Sequence, residues 1–187
     1  MEIILIRHGK PAVQYDVSID ASAFVKWVRH YNFSEVAKSS RPKAIDRQFG
    51  YYYVVSSDLK RAKHSTQIYT GRKPDLIKSD FREMHIPRYK LPFKCKAMTW
   101  VYLCRLLWML GVSGPFESYQ YARERAKLAA QQLIELATIE GKVVLFGHGY
   151  MNLHIRRALA KQGWKVHSKS NAYWGVSTLS FTPKNIK

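Results

Sequence analysis

Acidic residues are scarce in this chain. It has 13 aspartates and glutamates against 31 lysines and arginines, a formal net charge of +18. No acid stands between Met84 and Phe116, or anywhere after Glu140. A field of that sign draws polyanions and phosphorylated ligands. The bases never condense into the dense block of a nucleic-acid-binding tail, so charge favours an anionic partner without naming it. Cysteine is scarcer still, with only Cys95 and Cys104. The first residues lack a basic region followed by an apolar stretch and a small-residue cleavage site, so no signal peptide is expected. Two thiols without a secretory signal predict free cysteines in a reducing compartment, the cytoplasm. Long hydrophobic runs are missing too. The longest, Ala97 to Val112, falls short of the roughly 20 residues that span a bilayer, and Arg105 interrupts it. It predicts a buried helix rather than an anchor. There is no low-complexity tract.

What is present is ample material for a core: 47% of the 187 residues are hydrophobic. That length fits one domain spanning 1–187, with an inserted lid at about 84–116. Continuous apolar runs predict strands buried on both faces at Glu2–Ile6, Tyr51–Val55 and Lys142–Phe146. A shorter strand is expected at Leu76–Lys78 and a last one at Tyr173–Phe181. Helical spacing of Phe24, Trp27, Val28 and Tyr31 predicts a helix from Asp20 or Ser22 to Ala37. Others are expected at Asp58–Tyr69, Cys95–Leu110, Phe116–Thr138 and Tyr150–Lys161. Lys38–Gly50 reads as a polar loop, with Arg41-Pro42 discouraging helix. Strands alternating with helices predict an α/β fold in three layers, α/β/α, around a mostly parallel sheet.

Three strands end in the same kind of chemistry. The first runs into Arg7-His8-Gly9, the second into Ser57-Asp58-Leu59-Lys60-Arg61-Ala62, and the third into Gly147-His148-Gly149. In a parallel sheet, groups just past the carboxyl ends of the strands converge on one crevice. Two histidines and two arginines meeting there would suit a dianionic phosphoryl group.

These motifs resemble those of the histidine phosphatase superfamily, which includes the cofactor-dependent phosphoglycerate mutases. Arg7-His8-Gly9 is similar to its first signature, Ser57 to Ala62 to its second arginine motif, and Phe81-Arg82-Glu83 to its acid-bearing segment. Glu117-Ser118 resembles the element before its last helix pair, and Phe146-Gly147-His148-Gly149 its second histidine motif. The resemblance runs from Ile3 to the last strand. It implies a phosphoglycerate mutase-like fold with a helical lid over the crevice. It further implies a phosphomonoester hydrolase of the histidine acid phosphatase type, without cofactor, acting on a small phosphorylated metabolite and releasing inorganic phosphate. His8 would be the nucleophile and Glu83 the acid for the leaving oxygen and then the base for water. His148 would donate to a phosphoryl oxygen, and Arg7 and Arg61 would fork onto the others.

Two arginines beside His8 disfavour imidazolium, as a nucleophile requires. A bond from its other ring nitrogen to a backbone carbonyl would fix the tautomer. A plainer reading of Glu83 is an ion pair with Arg82 or Arg88. Against the family pattern, Lys10 and Pro11 replace an acid and a hydroxyl residue, and Gln14 stands where a phosphate-binding Asn is frequent. His8, Glu83, His85 and His148 are conceivable metal ligands, but no metal spacing is present and two arginines would repel a cation, so no metal is expected. His30, His64, His85, His154 and His167 read as structural or surface residues. Trp100 to Trp108 reads as core, or as lining for a leaving-group pocket. The rivals are a mutase, returning phosphate to a second hydroxyl, and a basic module binding nucleic acid or an acidic surface. The exposed aromatics would serve a dimer contact as well as a lid.

Overall fold

The structure, a computed structural model, describes residues 1–43 and 47–183. Six strands form the main sheet. β1 (Glu2–Arg7) lies inside it, with β6 (Lys142–Gly147) on one side and β8 (Val176–Ser180) on the other. Beyond β6 come β3 (Tyr53–Ser57) and the edge strand β4 (Leu76–Lys78); beyond β8 lies β7 (Lys165–Ser168). The pairs β1–β6, β6–β3 and β3–β4 are parallel, while β1–β8 and β8–β7 are antiparallel. The register sets Arg7 opposite Gly147 and Ser56 opposite Phe146. His8, His148 and the turn after Ser57 therefore leave the sheet at one level.

The period-two alternation of strands divides the apolar residues between two faces. Ile3, Leu5, Val55, Val143 and Leu145 pack against the helices α4 (Tyr119–Glu140) and α5 (Gly149–Lys161). Ile4, Ile6, Val54, Val144 and Phe146 pack against Phe49 and against Tyr69 of α2 (Lys60–Thr70). A second, aromatic core lies off the sheet, between α1 (Ala21–Phe33) and α3 (Ala97–Met109). There Phe24 stacks on Trp100 and Trp27 on Tyr31. A two-stranded ribbon of β2 (Ser18–Ile19) and β5 (Cys95–Lys96) ties the insert to the segment before α1. Both cysteines are free. Among the described residues no helix is long and apolar enough to cross a membrane.

Several boundaries differ from expectation for local reasons. α1 stops at Phe33 rather than Ala37 because Ser34 turns extended, its N–H and hydroxyl both returning to the Tyr31 carbonyl. The second strand begins at Tyr53, since residues 47–51 form a 3-10 turn; residues 44–46 of the expected polar loop lie outside the described residues. α4 starts after Ser118, whose hydroxyl caps the Tyr121 N–H, and ends at Gly141 with φ 75°. The last strand begins only at Val176 because residues 169–175 form an irregular loop. β2, β5 and β7 were not expected.

Candidate active site

Four of the expected side chains meet past the ends of β1, β6 and β3. The His8 and His148 rings lie 5.0 Å apart between centroids. Arg61, near the start of α2, reaches back so that its Nε donates to His8 Nε2 at 3.2 Å. Arg7 spreads over the Tyr173 ring at 4.0 Å, and its Nη1 donates to the Asn171 carbonyl at 2.6 Å. His8, Arg61 and His148 are fully buried.

The tautomers follow from the hydrogen bonds. His8 Nδ1 lies 2.7 Å from the Gly9 carbonyl, which only accepts, so the ring proton is on Nδ1. Nε2 is left with a lone pair, consistent with its accepting from Arg61. For His148, Ser57 Oγ accepts from the Leu59 N–H and lies 2.8 Å from Nε2, with its own proton available to that nitrogen. With Ser57 as the donor, a neutral His148 carries its proton on Nδ1. Both rings are held neutral. Burial pushes His8 well below its ordinary value, and the charges of Arg61 and then Arg7 push it the same way. Burial does the same to His148, followed by Arg61.

Arg7 Nε, Arg61 Nη2 and His148 Nδ1 are buried donors without a partner. An unpaired buried donor costs about 1–3 kcal/mol. Three such donors from the residues surrounding a neutral imidazole form a cradle for an oxyanion. Gly149 allows this packing, because a Cβ there would stand 3.1 Å from Arg7 Nε.

Glu83 lies at the rim. Its carboxylate accepts from the Met84 and Met151 N–H groups at 3.0 Å and from the Tyr150 N–H at 3.3 Å. It thus occupies the N-terminus of α5, where orphan amides and the helix dipole favour an anion. The alternative ion pair is not formed. Arg82 goes instead to Asp58, at 2.5 and 2.6 Å. Together with Arg7, Gly149, Tyr150 and Tyr173, Glu83 lines a cavity of about 200 Å³ covered by α3.

Gln14 is not brought to this crevice. Its side chain is exposed along a separate depression with Lys10 and Lys26, and only its carbonyl is engaged, by Trp27 Nε1. His85 also stands apart, exchanging hydrogen bonds with Glu117. Among the described residues no group of three or more His, Cys, Asp or Glu could hold a metal ion.

Other residues in the site were not foreseen. The Tyr173 ring lies 5.8 Å from that of His8, and its hydroxyl is joined to that of Tyr15 at 3.2 Å. The Tyr31 and Asn32 carbonyls at the end of α1 receive Arg61 Nη1. Arg125 of α4 grips the segment carrying Glu83. Its Nη1 donates to the Asp80 and Arg82 carbonyls, its Nη2 to that of Glu83, and the same guanidinium is paired with Glu117. Ser57, beside the second arginine motif, could have been read from sequence; the tyrosines and Arg125 carried no local signal.

The family model described as histidine phosphatase superfamily (branch 1) matches residues 3–187. No curated protein matches the sequence. Three solved structures share the fold. The open reading frame Rv3214 of Mycobacterium tuberculosis has a TM-score of 0.64 at 15% identity, over 97% of this chain and 91% of that one. Phosphoserine phosphatase of Entamoeba histolytica, in complex with 3-phosphoglyceric acid, has 0.58 at 18%, over 95% and 89%. Mycobacterial glucosyl-3-phosphoglycerate phosphatase, with inorganic phosphate, has 0.55 at 21%, over 86% and 79%.

Proposed function

The chain belongs to the histidine phosphatase superfamily (branch 1), and from that membership we propose that it is a phosphomonoester hydrolase of the histidine acid phosphatase type, working through phospho-His8. The observation that carries the proposal is the lone pair of a buried, neutral His8 Nε2 among three unpartnered buried donors. Hydrolysis, rather than transfer to a second hydroxyl, is supported by relatives in fold that are phosphatases.

In the first step His8 Nε2 attacks phosphorus, and the bond to the ester oxygen breaks. Arg61 Nε, which holds that lone pair in the free protein, turns onto a phosphoryl oxygen. Arg7 Nε, Arg61 Nη2 and His148 Nδ1 take the equatorial oxygens as their charge grows. Glu83, entering this step as the carboxylic acid, gives its proton to the departing alkoxide and is left as the carboxylate that the α5 amides stabilise. Its Oε2 is held only by the long bond from Tyr150, so it is the freer oxygen. In the second step water attacks the phosphohistidine, Glu83 takes the water proton, and inorganic phosphate leaves. The neutral state of His8 lets the nucleophile persist into acid solution. Two arginines in the crevice oppose a bound cation.

Incubation with a labelled aryl phosphate and acid-free quenching should trap acid-labile phosphate on the native protein and none on His8→Ala. Turnover in that variant should fall at least ~10³-fold. Full activity in His8→Ala would overturn the proposal.

A further inference from the structure

The cavity beside the crevice is walled mainly by rings and aliphatic groups, among them Tyr15, Trp27, Met98, Tyr102 and Tyr150. Three charged groups line it: Arg7, Glu83 and Arg105. The first two have places in the chemistry above. Arg105 has none. It interrupts the apolar run of α3 and is only 6% exposed. Its guanidinium lies on the Tyr150 ring at 4.0 Å. Nη2 reaches the Met84 carbonyl only at 3.5 Å, and Nη1 is buried without a partner. No carboxylate pairs with it among the described residues. A cation buried on an apolar helix and left unpaired is costly, and stacking on a tyrosine returns only part of that cost.

We infer that Arg105 recognises the leaving group, and that the substrates are phosphomonoesters whose alcohol is small, largely apolar and carries one carboxylate. The inference rests on the hydrolase reading for the phosphoryl end and adds the opposite end of the molecule. A flat guanidinium held against a ring, with one free amino group, suits one planar oxyanion. Glu83 in the same wall disfavours a more highly charged group. A cavity of about 200 Å³ matches a small alcohol.

The test compares phenyl phosphate with 4-carboxyphenyl phosphate at roughly 0.5 M salt, where the long-range field of the basic surface is screened. In the native protein kcat/KM should favour the carboxylated ester about 10- to 100-fold, and in Arg105→Met the ratio should fall toward one. A native ratio near one, or an undiminished ratio in Arg105→Met, overturns the inference. Should that variant fail to fold, product inhibition of the native protein decides: 4-hydroxybenzoate must inhibit at least tenfold more tightly than phenol, and equal inhibition overturns the inference. If neither ester is hydrolysed, the hydrolase reading has failed. Calorimetric binding of the two esters then judges Arg105 separately, with a tenfold preference for the carboxylated ester upholding it and equal binding overturning it.

Discussion

Removing the Arg125 guanidinium should unseat Glu83 while leaving the phosphoryl cradle in place. In Arg125→Met three backbone carbonyls, those of Asp80, Arg82 and Glu83, lose their shared donor. Glu117, whose side chain is only 8% exposed, loses its counter-charge but keeps the His85 N–H at 2.7 Å. That is intermediate between a surface pair and a buried one, so a stability loss of about 2 kcal/mol is expected. The kinetic effect should depend on the leaving group. A misplacement of about 1 Å costs on the order of 100-fold when the displaced group takes part in the transition state, and a general acid contributes 10²–10⁴-fold in all. Phenyl phosphate, whose phenoxide needs a proton, should lose about 100-fold in kcat/KM. 2,4-Dinitrophenyl phosphate, which leaves unprotonated, should lose less than about threefold in kcat/KM, which reports formation of the phosphoenzyme and not its hydrolysis. Glu83→Gln should show the same contrast. Steady-state kinetics on both esters, below the urea midpoint of the variant, measure it. Equal losses on the two esters would mean that Arg125 only supports the fold, and no loss would mean that it does not hold Glu83.

Acid should weaken the fold before carboxylates titrate. His154 is held at about 4, chiefly by burial and then by Arg157 and Arg123, whereas an unfolded histidine titrates near 6.5. The unfolded chain therefore binds more protons below pH 6.5, and stability falls as pH drops through that window, by roughly 2 kcal/mol from pH 7 to 5 for this residue. His8 and His148 act in the same direction. Urea midpoints at the two pH values measure the effect, and a constant midpoint refutes it. Gly9→Ala should destabilise by about 1–3 kcal/mol, because its Cβ would stand 2.4 Å from the Trp174 ring and 2.7 Å from Val36. It should also disturb Tyr173 and lower kcat. A variant as stable and active as the native protein would contradict that packing.

Legibility in the sequence followed the range of each interaction. Arg7, His8 and His148 could be read because each stands at the end of an apolar strand, and register then brings them level; Arg61 could be read from its motif at the start of the helix that follows β3. Glu83 could be read from its motif, but its seat on α5 could not, because the donors are backbone amides of Tyr150 and Met151, far along the chain. Gln14 was misjudged by position. A side chain six residues past His8 faces wherever the loop turns, and here the loop is anchored by its backbone, with Trp27 on the Gln14 carbonyl and Pro11 bridged to Val36. β7 was missed because Lys165–Ser168 is an exposed edge strand with no buried face to impose a pattern. Tyr173 was placed in a strand because aromatic and β-branched residues run through Tyr173–Phe181. The chain instead turns at Trp174, whose φ of 60° is left-handed, a conformation unusual for a bulky residue. That turn sets the Tyr173 ring over Arg7.

The order of strands also governs when the site can come into being. β1 leaves the ribosome long before its partners, β6, joined from Lys142 onward, and β8. At roughly 5–20 residues per second, the segment bearing His8 must wait many seconds for both neighbours. Throughout that interval Ile3 to Ile6 has neither of its sheet neighbours. The nucleophile is thus translated well before the strands that make it competent.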